Sequence, residues 1–122
     1  MQEKFSQFGG EKYNNLETYK KDGTGVKTPV WFVAHTDLIY IITREMTGKV
    51  KRLSNNQSVK ITPCGFKGEI KGQWISGNAK VVSGEEAERV IKLRKKKYGF
   101  FARAVGIFTS QKGNLKVYSI SI

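Results

Sequence analysis

Six short runs with strand character, the first three joined by connections too short for crossover helices, constrain this chain more than any other feature. They fall at residues 13–20, 26–34, 38–43, 58–63, 69–82 and 115–122. Parallel neighbours need a connection of about a dozen residues or more, usually a helix. The first three runs are separated only by "KDGTG" and "HTD". Asp22-Gly23 is a hairpin dipeptide, because glycine takes positive φ at little steric cost. Consecutive hairpins therefore predict a mainly β, six-stranded antiparallel barrel rather than a parallel sheet.

The runs differ in what they say about their surroundings. Residues 13–20 match neither period well, with Tyr13, Leu16 and Tyr19 as their larger apolar groups. Pro29, inside 26–34, cannot donate to a ladder, so that run is an edge or has an irregular centre. Residues 38–42, "LIYII", are continuously apolar and predict a strand covered on both faces. Gly72 and Gly77 inside 69–82 mark bulges or close approaches and imply a curved sheet. Residues 115–122 alternate, as a final half-buried strand does.

Two helices are expected. Thr47 can cap a short one that carries Val50 and Leu53 on one side and ends near "NN" at 55–56. A longer one spans "SGEEAERVIKLRKKKYG", with Ser83 as a cap and acids in its first turn. Its apolar stripe is Ala87, Val90, Ile91 and Leu93, its last turn is basic, and Gly99 is its stop. The apolar segment 100–110 is ambiguous between states. At 122 residues the chain is expected to be a single domain over 1–122.

Charge enters through 22 Lys and Arg against 10 acidic residues, a formal net charge of +12. Such an excess points to an anionic partner. Nucleic acid, an anionic membrane surface and a phosphorylated cofactor all satisfy it, and composition does not choose. No run approaches the roughly 20 apolar residues of a membrane span. The segment "MQEKFSQFGGEKY" lacks the apolar core of a signal peptide, and Cys64 is the one cysteine. The expectation is a soluble, cytoplasmic protein without a membrane association.

Candidate chemistry is sparse. His35 has no acid or cysteine at metal-ligand spacing, and Cys64 reads as a packed thiol. The basic run at 94–97, "RKKK", is most simply a solvated helix end that complements the macrodipole. The stretch "TREMTGKVKR" is different, because its cations sit where a strand delivers the chain to a helix N-terminus. Thr43 and Thr47 offer hydroxyls, Gly48 permits close approach to the backbone, and Lys49 supplies a charge, which together make a phosphate cradle. The competing reading is that Lys49, Lys51 and Arg52 form the wet face of a short helix. The residues alone leave the two balanced, and no Walker-type or GxGxxG motif decides.

The stretches "DGTGVKTPVWFV", "YIITREMTGKVKRLSNNQSVKITPC", "KGEIKGQWISGNAKVV" and "LRKKKYG" together resemble the flavin-binding split-barrel superfamily related to pyridoxamine 5'-phosphate oxidase. The likeness is greatest to its small members that use coenzyme F420, and it spans residues 13–99 in order. The resemblance implies a six-stranded split β-barrel that forms a homodimer with two cofactor sites at the subunit interface. It lays the backbone of Thr28, Pro29, Val30 and Trp31 along the cofactor ring. It assigns the phosphate to Thr43, Thr47, Gly48 and Lys49, with Arg52 beside them, and has Gln73 and Trp74 reach the ring from the partner subunit. The chain departs from the oxidases proper by having Thr28 where they place an arginine. It also ends in "VYSISI", without their substrate-gripping Arg and Trp pair, which argues against pyridoxamine phosphate oxidase activity itself.

Three functions of different class follow. The first is an oxidoreductase binding FMN or coenzyme F420 and exchanging hydride with a small organic substrate. No acid-base pair or nucleophile triad is needed for this, because the cofactor carries the chemistry. Charge tilts the choice to F420, which adds a glutamate tail to its phosphodiester. The second is a non-catalytic flavin or heme carrier or sensor on the same fold. The third is a basic nucleic-acid-binding barrel with Trp31, Tyr40 and Trp74 as stacking platforms.

Overall fold

The computed structural model describes residues 6–45, 47–104 and 115–122, and for 100–104 the backbone only. The strands are β1 (Tyr13–Tyr19), β2 (Gly25–Val30), β3 (Val33–His35), β4 (Leu38–Arg44), β5 (Ser58–Cys64), β6 (Ile75–Val82) and β7 (Leu115–Ser121). Helix α1 (Gly48–Asn55) lies between β4 and β5, and α2 (Gly84–Ala104) between β6 and β7. All pairings are antiparallel, in the order β2-β1-β5-β6-β7-β4-β3.

That order closes the barrel. The sheet's two edges, β2 and β3, are consecutive in the chain and separated only by Trp31 and Phe32. Three residue steps reach about 10 Å at most. A flat seven-stranded sheet would hold its edges nearly 30 Å apart at the usual spacing of about 4.8 Å between strands. The sheet must therefore curl until its edges meet.

Among the described residues the strand count is corrected from six to seven. The run 26–34 is two strands, because the chain steps from one sheet edge to the other at Trp31 and Phe32. The two side chains part company there. Phe32 turns into the barrel, edge-on to Phe8 at 5.6 Å, while Trp31 stacks on Tyr98 of α2 at 4.1 Å and 2°. The run 69–82 is also shorter than expected. Only 75–82 pairs as β6, and Ile70 makes a lone bridge to Cys64. The Gly72 and Gly77 expectation holds in its close-approach form. A Cβ on Gly77 would lie 2.8 Å from the Ser121 carbonyl oxygen, and one on Gly72 would lie 2.8 Å from Pro63 Cγ.

Burial explains the two layers. Leu16, Phe32, Ile39, Ile41, Val59, Ile61, Tyr118 and Ile120 fill the barrel with Phe8 and Leu53. Val33, Tyr40 and Val117 face outward and pack with Val90 of α2. Strand β4 thus sends Ile39 and Ile41 inward and Tyr40 outward, which is the double coverage that "LIYII" predicts. In β7, Tyr118 and Ile120 face the barrel interior while Val117 packs with Val90 of α2, so residues 117–120 are buried on both faces instead of half-buried. The poor periodicity of β1 has a similar cause, since Asn14 and Thr18 are polar yet fully buried beside Leu16.

Local signals set the turns and caps. Asp22 accepts the Thr24 N–H at 2.9 Å, and Gly23 takes φ +91° in the β1–β2 hairpin. The "HTD" loop tightens to two residues, Thr36 and Asp37, both at positive φ, because His35 pairs with Leu38. Thr47 caps α1 by accepting the Val50 N–H at 3.4 Å, and Asn56 ends it. Gly99 does not stop α2, which continues to Ala104. A helical glycine costs only about 1 kcal/mol relative to alanine, which does not end a helix whose packing holds it. The ambiguous segment 100–110 enters α2 as far as Ala104. Its remainder lies outside the described residues, as do residues 1–5 of the segment read for a leader.

Candidate functional site

The end of β4 and the start of α1 bring the polar residues of the phosphate expectation together. Thr43 is the last buried residue of β4, and Thr47 holds extended geometry as the α1 cap. Their hydroxyl oxygens are 3.1 Å apart, so one donates to the other. Both line a cavity of about 250 Å³ whose other walls are Val30, Trp31, Ile42, Arg44, Lys49 and Arg94. Five expected residues, Val30, Trp31, Thr43, Thr47 and Lys49, therefore share one hollow. Thr28 and Pro29 lie just upstream on β2 and do not line it.

The electrostatics of that hollow are one-sided. Among the described residues three cations line it and no carboxylate does. Burial pushes the Lys49 ammonium below its ordinary pKa, and the Arg52 charge adds to the shift. Burial likewise lowers Arg94. Cations gathered in a partly dry site are relieved by an anion, and the threonine pair, with one hydroxyl hydrogen spent between them, leaves one neutral donor for its oxygens. The residues present thus fit a phosphate group.

The other expected residues are placed elsewhere. Gly48 and Arg52 line a second hollow of about 350 Å³ with Lys20, Lys21, Lys51 and Asn55. The Arg52 guanidinium is held there by its Nε donating to the buried Thr18 hydroxyl. A Cβ on Gly48 would lie 2.9 Å from Arg52 Nη1, so the glycine makes room for this arginine as much as for a ligand. Gln73 and Trp74 fall in the irregular connection before β6. Gln73 exchanges two hydrogen bonds of 3.0 Å with Gln7, and Trp74 lies under the Lys27 ammonium, 5.4 Å from the ring centre. Neither reaches the 250 Å³ cavity of its own chain.

Helix α2 is the part of the site that sequence reasoning missed. Of the basic run, only Lys95 and Lys96 are exposed, as a solvated helix end requires. Arg94 faces the cavity, and Lys97 donates to the Phe32 carbonyl at 2.9 Å while its ammonium sits 3.7 Å over the Phe32 ring. Tyr98, 1% exposed, accepts the Phe32 N–H at 3.1 Å and has the Lys12 carbonyl at 2.7 Å. One helix thus clamps the 31–32 link between the barrel's edges. The signal was present: continuing the Ala87, Val90, Ile91 stripe by steps of three and four reaches Arg94, Lys97 and Tyr98.

Two negative observations bound the chemistry. Among the described residues no group of three or more His, Cys, Asp or Glu could hold a metal ion. Among them also, no helix is long and apolar enough to cross a membrane. Cys64 is buried, and burial raises its thiol pKa, as expected of a packed side chain.

Fold and cavity together define a class: an antiparallel split β-barrel whose strand-to-helix junction opens on a cationic hollow. The profile of the family described as pyridoxamine 5'-phosphate oxidase matches residues 1–120, and the chain belongs to that family. No curated protein matches the sequence. Among solved structures, HutZ, the heme storage protein from Vibrio cholerae, is 18% identical with a TM-score of 0.73, over 98% of this chain and 87% of that one. An F420 reductase is 14% identical with a TM-score of 0.66, over 96% and 90%. An F420-H2 dependent reductase is 15% identical with a TM-score of 0.64, over 90% and 94%. At these identities the likeness is one of fold.

Proposed function

We propose that the protein is a flavin- or deazaflavin-dependent oxidoreductase that binds FMN or coenzyme F420 at a homodimer interface and acts on a small organic substrate. The observation that carries this reading is the cavity where Thr43, Thr47 and Lys49 meet Val30 and Trp31, lined by three cations and, among the described residues, by no carboxylate. The bound cofactor supplies hydride transfer at its ring, and the chain's residues hold and orient it. Lys49 and the two threonines take the phosphate, and Gly48 keeps the first turn of α1 open. Strand β2 is a sheet edge paired only with β1, so its backbone at Thr28, Pro29 and Val30 is free on one side to run along a ring. Gln73 and Trp74 lie off this cavity in their own chain and reach the ring from a second copy.

Separate titration of FMN and coenzyme F420, followed by flavin absorbance and deazaflavin fluorescence, tests cofactor binding. Turnover of the reduced cofactor with candidate acceptors then tests catalysis. A protein that binds neither, and whose only ligand is RNA with a steep salt dependence, refutes the reading. A second reading, a flavin or heme carrier, draws on the HutZ likeness. Tight binding with no turnover, or a Soret band on adding heme, favours it.

A further inference from the structure

We infer that Arg94 is the second cation of the phosphate grip, closing from α2 on the same group that Lys49, Thr43 and Thr47 face from the β4–α1 junction. The inference rests on the reading of the 250 Å³ cavity as a phosphate site and names a residue outside the expected set. Arg94 comes from a different element, about 50 positions away in the chain, and its guanidinium is brought to the hollow by packing alone. Val90, one turn before it, is fully buried in the outer core. Tyr98, one turn after it, is fixed by the Trp31 stack and by hydrogen bonds to the 31–32 link. The helix is therefore seated on both sides of Arg94, and the guanidinium is preorganised where a flexible surface lysine would not be.

Among the described residues no carboxylate lines the cavity, and Lys49 and Arg44 add to its positive potential. A guanidinium offers a planar fork of donors that matches two phosphate oxygens, whereas the Lys49 ammonium acts as a point charge. One cation from each of two elements, with the threonine hydroxyls lining the same cavity, together hold a phosphate. Binding the phosphate then also ties α2 to the barrel, on the same helix that holds Trp31 and Phe32 in place.

The test compares wild type with Arg94→Met, which keeps the apolar stem and deletes the charge, with Lys49→Met, and with Lys95→Met as an exposed control. Inorganic phosphate is titrated at constant ionic strength and read as a melting-temperature rise; FMN and riboflavin are titrated by fluorescence. The expected result is saturable stabilisation of the wild type by phosphate, with affinity for phosphate and FMN weakened about tenfold or more in Arg94→Met and Lys49→Met. Lys95→Met keeps both, and riboflavin, which lacks the phosphate, binds the Arg94 variant within about twofold of wild type. Arg94→Gln applies the same criterion if Arg94→Met does not fold. Phosphate and FMN affinities within about twofold of wild type in the Arg94 variants, while Lys49→Met loses them, overturn the inference. So does a wild type with no phosphate stabilisation and equal affinity for FMN and riboflavin. Arg94-dependent phosphate binding without any flavin or deazaflavin binding supports the grip and refutes the cofactor reading instead.

Discussion

Replacing Tyr98 by Phe removes one oxygen atom and tests the clamp on which the barrel closure depends. The ring stays, so the 4.1 Å stack on Trp31 and the core volume are kept. What goes is the acceptor of the Phe32 N–H at 3.1 Å, and with it a donor to the Lys12 or Phe32 carbonyl at 2.7 or 3.0 Å. Phe32 is 1% exposed, so water does not replace the lost acceptor. A buried donor stripped of its partner costs about 1 to 3 kcal/mol, which here outweighs the roughly 1 kcal/mol of an ordinary hydrogen bond. The expected loss is about 2 kcal/mol, against a total stability of about 5 to 15 for a domain. For a chain of this length that is about 8 °C in Tm. Urea denaturation should show a lower midpoint with an unchanged slope, because the surface exposed on unfolding is the same. A loss under about 0.5 kcal/mol would mean that the Phe32 N–H finds another partner and that the clamp is packing alone.

Other perturbations address the site and its surroundings. Lys49→Ala should weaken cofactor binding by on the order of 1 to 3 kcal/mol, through the lost charge-assisted bond, while the exposed Lys96→Ala leaves it unchanged; equal effects in the same fluorescence titration would place the phosphate elsewhere. Asn14 is fully buried, and among the described residues neither polar atom of its amide has a hydrogen-bond partner, so Asn14→Leu, which keeps the branched shape without polar atoms, should hold or raise stability in denaturant melts. A loss above about 1 kcal/mol would reveal a buried water that satisfies the amide. Burial, and secondarily Lys12, lowers the Lys97 pKa from 10.5 to about 8. Between those values the unfolded chain holds more protons than the folded one, so this group makes stability rise with pH through that window. Below the lower value the folded state bears the full cost of burying the charge, and above the upper one it bears none. The stability difference between Lys97→Met and wild type should therefore shrink as pH climbs across the window; a constant difference would show that the ammonium is not desolvated.

Much of the fold was legible because its signals are local. Asp22-Gly23 specifies its hairpin, Thr47 its cap, and "LIYII" its double burial, each through a few adjacent atoms. The misreadings are those where distant packing overrides local preference. Gly99 is a helix stop by propensity, yet α2 runs through it. The alternation of β7 suggested one wet face, but the barrel interior covers one face and α2 the other. Pro29 announced an irregularity in the 26–34 run without saying that the chain there crosses from one sheet edge to the other.

The site divides along the same line. Thr43, Thr47 and Lys49 lie within seven residues, so a strand running into a capped helix suffices to set them together, and their proximity was legible in the sequence. It did not determine that Arg52 and Gly48 would turn to a different hollow, or that Arg94 would enter this one. Those outcomes depend on how α2 seats against the barrel, through Val90 in the outer layer and Tyr98 on the 31–32 link. A helix's periodicity shows which residues share a face, but what that face meets is decided by contacts more than sixty residues apart in the chain, such as Tyr98 to Phe32. Only the closed barrel brings those contacts together.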